Sequence, residues 1–214
     1  MNLKSDFLKE IENYYSDKVV VYGNTPKGVD WNSKKSQYLR FDNLCKILPN
    51  DTNSSFSLLD YGCGYGELVY YLKGKYPNMV YYGYDISEEM IKTANKFFFS
   101  NHNIKFLNEI NENKSYDYII ANGIFSVKLQ TKNQIWKNHI LNTIKFINNI
   151  CNNSFSFNCL TKYSDKELMR NHLYYADPLE LFDFCKINIS KHVALFHDYP
   201  LYEFSLHIKK LKDD

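Results

Sequence analysis

The sequence predicts an α/β protein: a seven-stranded, mostly parallel sheet with an antiparallel C-terminal strand and helices on both faces. Three observations predict it. From Phe56 onward, short apolar runs alternate with helix-length segments, the pattern of strand–helix–strand crossovers. The last two apolar runs, 192–199 and 202–209, are joined by Pro200-Leu201, too short for a crossover helix, so that pair must be an antiparallel hairpin. Finally, 214 residues suffice for one sizeable core but not for two comfortable domains. Residues 1–214 therefore read as one domain, with a helical cap over 1–50 and the α/β core over 56–214.

The elements follow in order. Leu3, Phe7, Leu8, Ile11 and Tyr15 fall on one face of a helix over 3–15. Turn formers between Tyr22 and Gly28 make a loop, and a second helix runs from about Ser33 to Leu48, where Pro49-Asn50-Asp51 breaks it. Strands are expected near 56–61, 79–85, 103–108 and 116–122, with helices near 65–75, 88–100 and 132–150. Strands near 154–160 and 192–199 flank a helix near 178–187. There Asp177 supplies an N-cap and Pro178 takes the first helical position. No internal repeat or low-complexity linker interrupts the pattern.

Composition narrows the partners. A hydrophobic fraction of 44% and an aromatic fraction of 17% fit a globular chain. The 26 basic and 24 acidic residues leave a net charge of +2, without the basic field that nucleic-acid binding uses. Met1 to Asp6 lacks an apolar signal core and no apolar run reaches membrane-spanning length, so no membrane partner is expected. The five cysteines (Cys45, Cys63, Cys151, Cys159, Cys185) are odd in number and show no metal-ligand spacing. A reduced, cytoplasmic setting without a metal is the expectation, for a monomer or homodimer.

The run Leu58-Leu59-Asp60-Tyr61-Gly62-Cys63-Gly64-Tyr65-Gly66-Glu67-Leu68 carries the chemistry. It reads as a buried strand, a glycine-rich turn and the start of a helix, where a ligand can lie against bare backbone. Asp85, nineteen residues past Gly66, closes the next strand, and an acid there can accept hydrogen bonds from both hydroxyls of a ribose. A nicotinamide fingerprint wants G-x-G-x-x-G under a pyrophosphate. This chain has G-x-G-x-G, preceded by Asp60, whose carboxylate would repel a pyrophosphate and suits a ligand with an ammonium group. S-adenosylmethionine offers ribose, adenine and an amino acid, with no phosphate.

Leu58 to Gly66, Asp85-Ile86-Ser87 and the closing hairpin resemble the class I S-adenosylmethionine-dependent methyltransferases, over roughly Trp31 to the C-terminus. The resemblance implies a Rossmann-like fold. It implies that Asp60, Gly62, Cys63, Gly64 and Gly66 surround the methionine portion, that Asp85 holds the ribose, and that Ile86 and Met90 pack on the adenine. Asn108 or Glu109 would face the adenine amine, although the usual Gly-Asp pair is absent. Asn122-Gly123-Ile124-Phe125 would lie beside the sulfonium and the acceptor; it is not the Asn/Asp-Pro-Pro-Tyr/Phe sequence of base-amine methyltransferases. Trp31 leads into a helix carrying Gln37 and Arg40 that would cover the cofactor. Trp31 is either part of that lid or core, and Arg40 either pairs with the cofactor's carboxylate or solvates a helix face.

For the acceptor, His197-Asp198-Tyr199 ends an apolar strand, where His197 acts as general base or is an edge histidine of the hairpin turn. The segment from Arg170 through Tyr175 to Asp177 either forms a lid, its arginine on an anionic phosphate group, or places its tyrosines in the core. Residues 177–185 and 196–199 are similar to methyltransferases of bacterial surface-polysaccharide (capsule biosynthesis) clusters, including those held to methylate a phosphoramidate. That likeness implies a sugar hydroxyl or phosphoramidate acceptor. A nicotinamide-dependent oxidoreductase and a non-catalytic S-adenosylmethionine-binding subunit of a methyltransferase complex are the alternatives.

Overall fold

The computed structural model describes residues 6–98 and 101–210. The order is α1 (Asp6–Tyr22), α2 (Lys34–Leu44), β1 (Phe56–Tyr61), α3 (Glu67–Leu72), β2 (Met79–Tyr84), α4 (Glu88–Phe98), β3 (Ile104–Leu107) and β4 (Tyr116–Ala121). Then come α5 (Asn133–Ile150), β5 (Cys151–Thr161), β6 (Tyr175–Ala176), α6 (Pro178–Asn188), β7 (His192–Phe196) and β8 (Glu203–Lys209). The sheet order is β3-β2-β1-β4-β5-β8-β7, with the two-residue β6 beside β5. β8 runs antiparallel to both its neighbours, β5 and β7, and every other pairing among the described strands is parallel. The seven expected strands are present, and β6 is an eighth too short to leave a periodic signal.

Adjacent residues on a strand face opposite sides, and here both sides are covered. Leu58 and Ile120 pack against Phe41 and Leu44 of α2 and Leu68 and Leu72 of α3. Leu59, Ile119 and Phe155 pack against Trp136, Ile140 and Ile144 of α5. That double burial explains why the strands read as continuous apolar runs. The chain winds outward from β1 to β3 and then returns to β4. This leaves a crevice at the carboxyl ends of β1 and β4, where the winding reverses.

Several boundaries differ from expectation. The expected first-helix start at Leu3 and the fourth-helix end at 99–100 lie outside the described residues. Instead of stopping at Tyr15, α1 runs to Tyr22, because Val19 buries itself while Val20 and Val21 stay exposed. Gly23 ends it at φ +60°, donating its N–H to the Val19 carbonyl at 2.8 Å. At the other end, β7 stops at Phe196, three residues early, and Pro200, which has no N–H for a ladder, lies in the connection that follows. Asp177 caps α6 as expected, accepting the Leu179 N–H at 3.0 Å. Asp177→Ala should lower stability by about 1 kcal/mol, read as a lower urea midpoint; an unmoved midpoint would remove the cap from the account.

Candidate active site

The site begins where β1 ends. Gly62, Gly64 and Gly66 all have left-handed backbones (φ +87°, +55° and +88°), which a side chain would strain. The turn is stitched to the end of β2: the Gly62 and Cys63 N–H groups donate to the Tyr84 carbonyl at 2.7 and 2.9 Å. The Gly64 N–H donates to Asp85 Oδ2 at 2.8 Å, and the Ser87 N–H to Oδ1 at 2.9 Å. The space that side chains at these glycines would need is already filled by protein. A Cβ on Gly62 would lie 2.2 Å from Ile124 Cγ2, one on Gly64 2.7 Å from Val29 Cγ1, and one on Gly66 2.9 Å from Phe106 Cζ. The glycines thus serve the turn's conformation and its packing, more than an open ledge for a ligand.

Above this turn lies a cavity of about 160 Å³. Its floor is Asp60, Gly62, Cys63, Gly64, Asp85 and Ile86; Met90, Asn122 and Trp31 add walls, and Leu8, Ile11 and Tyr15 of α1 form a roof. The roof is tied down: Tyr14 and Lys18 each bond Asp30 at 2.7 Å, and Ser16 bonds Ser87 at 2.8 Å. From α5 come Trp136, His139 and Thr143.

Among the described residues, the charged side chains lining the cavity are Asp60, Glu67 and Asp85, and none is lysine or arginine. Burial pushes the Asp60 carboxyl up to about 7, against the Tyr81 hydroxyl that donates to it at 2.6 Å. Burial raises Asp85 to about 6, opposed by the Ser87 and Gly64 N–H groups. Glu67 accepts from Tyr38 at 3.0 Å and pairs with Lys34 at 3.1 Å. The buried Asn122 Oδ1 has no hydrogen-bond partner among the described residues. Burial lowers His139 to about 4, so its ring, set beside Phe7 and Trp136, is neutral at physiological pH.

The profile of the family described as "Methyltransferase domain" matches residues 52–192. The chain belongs to that family. Rv1506c of Mycobacterium tuberculosis, whose name provisionally calls it a methyltransferase, is 45% identical over 155 residues, 72% of this chain and 93% of that protein. Two solved structures share the fold. Magnesium protoporphyrin IX methyltransferase ChlM from Synechocystis PCC 6803, with bound SAH, has a TM-score of 0.67 at 15% identity, covering 96% of this chain and 100% of that one. The DhpI–SAH complex has a TM-score of 0.66 at 12% identity, covering 96% and 97%.

Within this methyltransferase domain, nine of the residues singled out from sequence come together around the cavity: Trp31, Asp60, Gly62, Cys63, Gly64, Asp85, Ile86, Met90 and Asn122. Others stand apart. Gly66 faces Phe98 and Phe106 in the core. Asn108 and Glu109 are exposed just past β3. Phe125 is fully buried against Phe157, and its carbonyl accepts the Trp136 indole N–H at 2.9 Å. Arg170 is exposed and folds back on the Glu167 and Met169 carbonyls, while its N–H donates to the Tyr175 hydroxyl. His197 is exposed in the connection after β7, 6.0 Å from the Tyr163 and Phe204 rings, because its strand ends before it.

Arg40 lies behind the wall. Its Nε donates to Glu203 Oε2 at 2.8 Å and its guanidinium stacks on Trp31 at 4.0 Å, so its acid is a protein carboxylate. Tyr199 also reaches Glu203, at 3.5 Å. Sequence reasoning missed Tyr15, Glu67, His139, Asn158 and Glu203. A polar Asn158 inside the apolar run 155–160, and an acid opening the last strand, were the available signals.

Proposed function

We propose that the chain transfers the methyl group of S-adenosylmethionine to the hydroxyl of a small, uncharged acceptor. The observation that carries this reading is the charge of the cavity: among the described residues, three acids and no lysine or arginine line it. S-adenosylmethionine brings a sulfonium, an ammonium and one carboxylate, a net positive ligand. A nicotinamide dinucleotide would bring a pyrophosphate to a turn flanked by Asp60 and Asp85, with Glu67 in the first turn of α3. Two structural neighbours bound to SAH support the same cofactor.

The residues present fit that cofactor. Asp85 would accept from the ribose hydroxyls while keeping its bond to the Gly64 N–H, and Ile86 and Met90 would pack on the adenine. Asp60 and the unpaired Asn122 Oδ1 would receive the ammonium, and Trp31 would wall the cleft. When bound, the cofactor supplies a methyl group already activated by its sulfonium, so the protein's work is alignment and exclusion of water. The roof from α1 provides that exclusion.

The same charge pattern bears on the acceptor. Of the two chemistries that the surface-polysaccharide likeness implies, a sugar hydroxyl fits better than a phosphoramidate, whose negative charge would meet three acids and no cation among the described lining residues. His139 is the neutral imidazole in the cavity wall, and His197 is remote from it.

Calorimetry tests the cofactor. S-adenosylmethionine should bind and NAD should not; NAD binding without a response to S-adenosylmethionine would overturn the reading. The affinity should also depend on pH. A cationic ligand favours ionised Asp60 and Asp85, whose carboxyls sit near 7 and 6 before it arrives. Binding therefore releases protons and tightens as pH rises from about 5 to about 8. An affinity flat across that window would place the acids away from the ligand.

A further inference from the structure

We propose that Glu203 is a positioning residue that sets the shape of the cofactor cleft without touching the ligand; this rests on the cofactor reading above. Glu203 opens β8 and is 2% exposed, and its partner Arg40 is 8% exposed. One carboxylate oxygen, Oε2, takes the Arg40 Nε–H at 2.8 Å; the other, Oε1, takes the Asn158 Nδ2–H at 3.1 Å. Each arm ends at the cleft. Asn158 Oδ1 accepts the Gly123 N–H at 2.7 Å, holding the turn that carries Asn122 and Ile124. Arg40, further anchored by its bond to the Ser36 carbonyl at 2.9 Å, presents its guanidinium to the Trp31 ring. The two arms meet again on the ligand side, because Gly123 has φ +77° and the place of its missing Cβ lies 2.4 Å from Trp31 Cζ2.

The result is a closed loop of contacts, Glu203–Asn158–Gly123–Trp31–Arg40, that joins β8, β5, the β4 turn and α2. Its ionic part is a poor device for stability. Replacing a buried ion pair by apolar side chains of similar size is often neutral or stabilising, because burying both charges costs about as much as their attraction returns. What such a pair does well is hold two groups at one distance and angle. Here the groups held are a wall of the cleft and the turn that carries Asn122, a lining residue.

The test separates position from stability. Arg40→Met/Glu203→Met should keep the urea midpoint of the wild type within about 1 kcal/mol and yet bind S-adenosylmethionine at least tenfold more weakly by calorimetry. Asn158→Leu, which cuts the arm to Gly123 and leaves the ion pair, should show a similar loss of affinity. Trp31 reports directly: the chain has two tryptophans, so Trp136→Phe leaves it as the single emitter. In that background the double variant should red-shift its emission, whereas Asn158→Leu should shift it less. Wild-type affinity in both variants would overturn the proposal, as would unshifted Trp31 emission in the double variant. If the double variant does not fold, Glu203→Gln replaces it and is judged on affinity and Trp31 emission alone, because leaving the buried Arg40 charge without its carboxylate should itself lower the urea midpoint. Failure of the wild-type protein to bind S-adenosylmethionine would instead overturn the cofactor reading.

Discussion

Asp85→Ala is expected to weaken S-adenosylmethionine binding at least a hundredfold by calorimetry. The carboxylate does two things at once. It would receive the ribose hydroxyls, a charge-assisted contact of about 1.5–3 kcal/mol, and it already receives the Gly64 and Ser87 N–H groups at 2.8 and 2.9 Å. Alanine removes the ligand contact and also leaves two buried N–H groups unpaired, each at about 1–3 kcal/mol. Part of that second penalty falls on folding and part on the turn that must greet the ligand. Since about 1.4 kcal/mol is tenfold in affinity, losing the ribose contact together with a share of the turn's order reaches a hundredfold. Asp85→Asn keeps one acceptor oxygen for one of the two N–H groups, so it should fall between alanine and wild type. Affinity within threefold of wild type in the alanine variant would put the cofactor elsewhere.

What could be read from the sequence was what is local. The turn from Asp60 to Gly66 and the acid at Asp85 sit at the ends of neighbouring strands, so a fixed spacing brings them together whatever the rest of the chain does. The strands themselves announced their burial, because Leu58 and Leu59 face opposite sides and both are apolar. Long-range partners left no such trace. Arg40 stands 163 residues from Glu203, and their meeting depends on β8 pairing with β5 so that Glu203 faces Leu160 in the ladder. A sequence shows an arginine at helical spacing from Gln37; it does not show which carboxylate waits for it. His139 was hidden differently, as one polar residue on the amphipathic α5, where a histidine and an asparagine look alike. His197 lies away from the cavity because the expected strand ran on through His197, Asp198 and Tyr199, whereas β7 stops at Phe196.

The three motif glycines all resemble ligand contacts in sequence, but their surroundings separate conformation from packing, and Gly62→Ala is expected to show it. Gly62 and Gly74 both have strongly positive φ, +87° and +80°, so alanine at either carries the left-handed penalty of about 1–2 kcal/mol. They differ in what surrounds them. A Cβ on Gly74 meets nothing within 4 Å, whereas one on Gly62 would sit 2.2 Å from Ile124 Cγ2. Ile124 lines the cavity from the β4 turn and cannot yield without moving the wall. Gly74→Ala should therefore lower the urea midpoint and leave S-adenosylmethionine affinity unchanged. Gly62→Ala should lower the midpoint further and weaken binding at least tenfold, because either Ile124 enters the cavity or the Gly62 N–H leaves the Tyr84 carbonyl it holds at 2.7 Å. Equal effects on affinity at the two positions would mean that the backbone conformation alone accounts for the motif. A loss confined to Gly62 would mean that the glycine is there for Ile124, and that the cleft is shaped by a side chain from β4 reaching into the space a side chain from β1 gave up.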